Sequence, residues 1–253
     1  DFFLFENVKG LYRTLKHREF FEQIKNELAS AGYILHERLI NSIEYGAPQD
    51  RERIILVGFL DKSLAKKFEW SGQIYPNKEA FQFPWPTTNT YEEDSNMECP
   101  QGIPEKLTIE YWFEKNDVIN HPNAKHVFTA RAGLARFQSV EEGDDSKKSY
   151  KRLHRWRYSP TAAYGNNEVH LHPYKPRRIT VAEALAIQSL PKDFELPADM
   201  TLSNMFKTVG NGVPYIAALG IAQSILQHLG YSNEDNSIES GSGDFELTQK
   251  YAV

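Results

Sequence analysis

Three short groups of residues combine side chains that can do chemistry. The first is Glu6-Asn7, directly after the apolar run Phe2-Phe3-Leu4-Phe5. Ligands of open α/β sheets gather at the carboxyl ends of strands, where a carboxylate is partly desolvated and can act as an acid. The competing description is a loop acid that caps the next turn. The second group is Gln49-Asp50-Arg51-Glu52-Arg53, before the apolar run 54–59. Alternate residues of an extended segment point the same way, so Gln49, Arg51 and Arg53 can share a face. Two guanidiniums and an amide suit phosphate, or a base edge held together with a carboxylate. The alternative is a surface ion-pair cluster with Asp50 and Glu52. The third group, Val209-Gly210-Asn211-Gly212-Val213, reads as the opening of the last helix. Gly-Asn turns occur there for backbone reasons alone, so this group is the weakest of the three.

Two other features are candidates of a different kind. His170 and His172 could ligate a metal, but no cysteine or carboxylate stands beside them at ligand spacing, so no metal is expected. Cys99 is the sole cysteine. No His or Arg lies within ten residues to lower its pKa, so it is expected to be a bystander.

The elements around these groups follow an α/β grammar. After the strand at 2–5, residues 17–31 place Phe20, Phe21, Ile24 and Leu28 at helical spacing, with Gly32 as the stop. Strands are expected at 33–40 and 54–59. The continuous apolar character of residues 2–5 suggests a strand buried on both faces of a parallel sheet. Residues 68–125 are rich in aromatics, prolines and acids without a sustained period, as in an inserted, loop-rich segment. Regularity returns at 177–190, where Thr180 and Glu183 fit a capping box. Residues 213–229 predict an apolar core helix.

Composition narrows the partners. Hydrophobic residues make up 40% of the 253, enough for a core. One cysteine excludes an intramolecular disulfide framework and favours a reducing, cytoplasmic location. No apolar run approaches the roughly 20 residues of a membrane span, so no membrane partner is expected. The net charge is −5, yet residues 125–178 hold twelve Lys/Arg against five Asp/Glu. Such a segment is either a footprint for phosphate or a solvated face.

Taken in order, the motifs resemble the C-terminal half of the cytosine-C5 DNA methyltransferases. Glu6-Asn7-Val8 matches the ENV signature, and Gln49, Arg51 and Arg53 match Q-x-R-x-R. Arg177, Ile179, Thr180, Glu183 and Gln188 match a third signature, and Gly210, Asn211 and Val213 match the closing G-N-x-V. The resemblance covers about 1–60 and 153–230. It implies an incomplete Rossmann-like methyltransferase sheet carrying an inserted target-recognition domain. The implied division is catalytic residues 1–60, a target-recognition region 61–176, a hinge and linking helix 177–204, a returning helix 205–231 and an acidic tail 232–253.

The resemblance also implies a reaction. A cysteine thiolate adds to C6 of a cytosine flipped out of duplex DNA, and C5 takes a methyl group from S-adenosylmethionine. Loss of the C5 proton and of the cysteine completes the exchange. Glu6 would contact N3 and the exocyclic amine of the base. Arg53 would bind the base O2 and brace Glu6, with Asn7 and Arg51 beside them. Asn211, Gly212 and Val213 would lie at the cofactor. Gln49, Arg152, Arg155, Arg157, Thr161, Ala162 and Tyr164 would face DNA, with Thr161-Ala162 in the recognition loop.

The family's glycine-rich cofactor loop and Pro-Cys-Gln nucleophile loop precede ENV, and only five residues precede Glu6 here. The chain alone is therefore expected to be inactive and to need an N-terminal methyltransferase half, in cis or in trans. A non-catalytic DNA-binding or regulatory subunit on the same scaffold is the alternative. The resemblance puts the nucleophile outside these 253 residues, and Cys99-Pro100-Gln101 shuffles the expected order.

Overall fold

The computed structural model describes residues 1–130, 134–147, 149–162, 164 and 169–231. The expected acidic tail 232–253 lies outside the described residues. Strand β1 (Phe2–Val8) leads through the short α1 (Gly10–Arg13) into α2 (Leu15–Ser30). Thr14 caps α2, its Oγ1 accepting from the His17 N–H, and Gly32, at φ 98°, turns the chain after it. Strands β2 (Ile34–Asn41) and β3 (Glu52–Phe59) follow.

The strands form one sheet in the order β1-β3-β2, with both outer strands antiparallel to β3. The expectation of a doubly buried parallel strand at 2–5 is thus corrected: β1 is an edge strand, and Phe2 and Leu4 are about half exposed. One face of its apolar run is packed, through Phe3 and Phe5, while Phe2 and Leu4 lie on the more open face. Phe3 and Phe5 join Ile54, Leu56 and Phe21 of α2 on one side. The opposite face of β3, with Ile55, Val57 and Phe59, packs against the last helix.

Beyond β3 come α3 (Lys62–Ala65), α4 (Ile109–Lys115), α5 (Leu134–Gln138), α6 (Val181–Ile187), α7 (Leu202–Asn211) and α8 (Tyr215–His228). The loop-rich character expected after β3 holds between α3 and α4. There Tyr75, Phe81, Phe83 and Trp85 pack around Ile43, Ala80 and Leu107 without helical period. Helix α4 was not foreseen, although Thr108 caps it and Ile109, Trp112 and Phe113 have helical spacing. A larger core joins α4, α6 and α7, with Phe113, Leu185 and Phe206 buried in it. The expected capping box is present: Glu183 N–H donates to Thr180 Oγ1 at 3.1 Å, and Thr180 N–H donates to Glu183 Oε2 at 2.8 Å.

The 209–213 segment differs from its expected place. Val209, Gly210 and Asn211 close α7, and α8 starts only after Pro214. The stretch Leu202–His228 has the length and composition of a membrane span but is broken at 212–214. Its residues Met205, Phe206, Ala217, Ile221 and Ile225 are buried in the core.

Candidate functional site

A cleft of about 1180 Å³ opens where the carboxyl end of β1 meets the start of β3. Glu6, Asn7, Arg51 and Arg53 line one side. Thr161, Ala162 and Tyr164 line another, and α7 supplies Asn204, Lys207 and Asn211.

Register explains the central pair. Glu6 stands opposite Ile55 and Val8 opposite Arg53, so Glu6 and Arg53 are diagonal neighbours on one face of the sheet. Arg53 Nε is 2.9 Å from Glu6 Oε1, and Arg53 Nη1 donates to the Glu52 carbonyl at 2.8 Å. Burial lowers the Arg53 pKa, and the Glu6 carboxylate acts against that shift. Glu6 keeps partial exposure toward the cleft, so its carboxylate is held and still reachable.

Arg51 is only 1% exposed and has a different task. Its Nη1 donates to the Ala162 carbonyl at 2.8 Å and its Nη2 to the Gly210 carbonyl at 2.6 Å. Burial, reinforced by the Arg53 charge, pushes its pKa down to about 10, so it stays cationic at neutral pH. It ties the 159–164 loop to the end of α7. Gln49, fully buried, extends this knot: its Oε1 accepts from the Ala162 N–H at 3.3 Å, and its Nε2 donates to the Ile187 carbonyl at 3.4 Å. Gln188 adds a bond from Nε2 to the Val209 carbonyl at 2.6 Å. Thr161 Oγ1 donates to the Asp50 carbonyl at 2.6 Å, and Asp50 N–H donates to the Ser159 carbonyl at 2.9 Å.

Several residues expected to face DNA are held inside the protein. Gln49 serves the knot. Arg152 is 1% exposed and donates to the carbonyls of Val140, Phe137, His172 and Lys175, with Tyr91 stacked at 3.9 Å. Arg155 is buried in a bidentate pair with Glu142 at 2.9 and 2.8 Å, and also donates to the Ser95 carbonyl. Arg157 pairs with Asp145 at 3.2 Å and is not in the cleft lining. Ala162 and Tyr164 are buried while lining the cleft, leaving Thr161 as the exposed member of that group. The physical reason is local: loops without regular backbone bonding need internal donors for their carbonyls, and arginine supplies several at once. A count of basic residues cannot separate that use from phosphate binding.

Among the residues expected at the cofactor, Asn211 lines the cleft, whereas Gly212 and Val213 do not. A Cβ at Gly212 would stand 3.4 Å from the Val209 oxygen, an ordinary contact, so no close cradle demands glycine there. At Gly210 it would meet Tyr164 N at 3.0 Å, which ties that glycine to loop packing.

His170 and His172 are buried, and burial pushes both pKa values down to about 3. No cluster of three or more metal-ligating side chains occurs among the described residues. Cys99 lies outside the cleft lining, with its thiol pKa raised first by burial and then by Glu105.

The sequence did not single out Phe128, Arg178, Asn204 or Lys207, all of which line the cleft. The available signal was the spacing 204, 207, 211 along one face of α7.

The comparisons agree with this architecture. The C-5 cytosine-specific DNA methylase family matches residues 1–227. The chain is 62% identical over 232 residues to the Type II methyltransferase M.NmeDI of Neisseria meningitidis serogroup C, covering 90% of this chain and 54% of that protein. It is 28% identical over 232 residues to M.HaeII of Haemophilus aegyptius, covering 90% and 61%. It therefore spans little more than half the length of these relatives. A solved structure described as a DNA modification methyltransferase from an Escherichia coli prophage superposes with TM-score 0.60 at 24% identity, over 90% of this chain and 70% of that one. Motif order, the Glu6–Arg53 pair and the match over residues 1–227 lead to one conclusion: the chain belongs to the C-5 cytosine-specific DNA methylase family.

Proposed function

We propose that this chain is the base-holding and target-recognising portion of a restriction–modification DNA (cytosine-5-)-methyltransferase, which methylates C5 of a cytosine flipped out of duplex DNA. The observation that carries this is the Glu6–Arg53 pair at 2.9 Å in a cleft whose facing side is the 159–164 loop. Glu6 holds the exocyclic amine and N3 of the base, which makes C6 more electrophilic. Arg53 keeps the Glu6 carboxylate in place and offers its remaining donors to the base. Thr161 belongs to the recognition loop, and residues 61–176 supply sequence preference.

S-adenosylmethionine would supply the electrophilic methyl group. Asn211 reaches the cleft and would meet the cofactor from the α7 side, with Gly212 and Val213 behind it. The remainder of the cofactor pocket and the thiolate nucleophile belong to an N-terminal methyltransferase half. The half-exposed edge strand β1, with Phe2 and Leu4, offers that half a docking place.

The test is to incubate the chain with labelled S-adenosylmethionine and duplex DNA, alone and with the N-terminal half of a close relative. Label is expected in DNA only with both halves, and Cys99→Ser should leave it unchanged. Turnover by the chain alone, or loss of turnover in a folded Cys99→Ser protein, would refute the assignment. Binding of DNA by the complemented pair without turnover would favour a non-catalytic module.

A further inference from the structure

We infer that Arg178 and Lys207 form a phosphate subsite in the cleft, holding the DNA backbone beside the nucleotide whose base meets Glu6. The inference rests on the DNA reading above and assigns residues that reading leaves unassigned.

Charge balance is the starting point. The described lining of the cleft carries four cationic side chains, Arg51, Arg53, Arg178 and Lys207, against one acid, Glu6. Arg53 is engaged by Glu6 and the Glu52 carbonyl. Arg51 is engaged by the carbonyls of Ala162 and Gly210. Among the described residues, neither Arg178 nor Lys207 has an acidic partner, and the one side-chain bond at Arg178 is accepted by its backbone carbonyl from Arg177. Within the described lining, the excess positive charge therefore resides on the two side chains with donors to give. A cleft of this kind suits an anion.

Arg178 is also pre-positioned. Its guanidinium carbon lies 5.7 Å from the Phe128 ring centre and 5.6 Å from that of Tyr150. Phe128 in turn stacks on buried Phe206 at 5.3 Å and 25°. Aromatic rings engage a guanidinium through its faces and leave its N–H edge for a planar or tetrahedral oxyanion. Lys207 approaches from α7, one turn after Asn204, so a cation and an amide donor share one cleft-facing stripe. A base drawn out of the stack toward Glu6 brings its flanking phosphates with it, and these need counter-charge that the Glu6–Arg53 pair does not supply.

The experiment is a salt titration of duplex-DNA affinity, by fluorescence anisotropy, for the complemented protein and its Arg178→Gln, Lys207→Gln and double variants. One phosphate contact contributes about 0.9 to the slope of log K against log salt. Each single variant is expected to flatten the slope by about that amount, and the double variant by about twice as much. Exposed Lys66, outside the cleft lining, serves as the control: Lys66→Gln should leave the slope unchanged. Circular dichroism melts establish that the variants are folded. Unchanged slopes for both cleft variants, or equal flattening by Lys66→Gln, would overturn the subsite while leaving the DNA reading intact. Absence of salt-dependent DNA binding by the unaltered protein would overturn both.

Discussion

Glu6 and Arg53 meet diagonally across two antiparallel strands, so the strand register itself sets the geometry of the candidate catalytic carboxylate. Glu6→Gln keeps an acceptor for Arg53 but removes the charge and the titratable proton. Turnover of the complemented enzyme should fall by about a hundredfold or more, the usual contribution of a positioned acid. Arg53 is buried and only Glu6 is partly exposed, so removing the carboxylate leaves a buried guanidinium without its counter-charge, and a stability loss of about 1–3 kcal/mol is expected beside the loss of turnover. Steady-state kinetics alongside a melt checks both; an unchanged kcat would remove Glu6 from the reaction.

Arg51 should behave in the opposite way. Its replacement by Met strips the Ala162 and Gly210 carbonyls of donors in a buried place. Each unsatisfied buried group costs about 1–3 kcal/mol, so a loss of several kcal/mol is expected in denaturant unfolding. A loss below about 1 kcal/mol would mean that the knot does not hold the loop.

Three of the buried histidines make the fold acid-sensitive. Burial sets the folded pKa of His154 at about 4 and those of His170 and His172 at about 3. The unfolded value is about 6.5, so below it the unfolded chain takes up protons that the folded chain refuses. The stability they contribute is fully present above about pH 6.5 and is lost as pH falls toward 4 and 3. Each histidine adds about 1.4 kcal/mol per pH unit to that decline. His170→Gln should flatten the dependence by one histidine's share, measured by urea midpoints between pH 4.5 and 7. An unaltered dependence would show that His170 titrates normally in the folded protein.

Helix α8 crosses the turn at residues 42–45 so closely that a Cβ at Gly220 would lie 2.4 Å from buried Tyr45. Gly220→Ala gains about 1 kcal/mol of helix propensity but overpacks a rigid ring, which costs about 1–3 kcal/mol. Net destabilisation is expected in thermal unfolding, and Tyr45→Phe should not relieve it, because the contact is with the ring.

The sequence made the elements around the site legible where local chemistry and tertiary packing agree. Thr180 and Glu183 announce α6, and the apolar spacing after residue 213 announces α8. Glu6 and Arg53 were legible as a pair through their motifs. What stayed hidden was long-range. Nothing in Phe2-Phe3-Leu4-Phe5 distinguishes an antiparallel edge from a parallel interior strand, because both carry apolar runs. Likewise, Arg152 and Arg155 look like phosphate ligands until the carbonyls and the Glu142 carboxylate that occupy them come into view. Arg178 and Lys207 were hidden for the converse reason: what sets them apart is that neither has an acidic partner among the described residues, which no motif announces.

The knot of Gln49, Arg51 and Gln188 has a consequence for how the 159–162 loop can be exchanged. Thr161 and Ala162 are fastened to the backbone or side chains of residues 49–51, which in turn hold α6 and α7. A loop transplanted from a relative with another sequence preference arrives without the partners its carbonyls were fitted to. On the proposed reading, in which this loop meets DNA, a change of specificity is expected to need the loop and its distant anchors to change together.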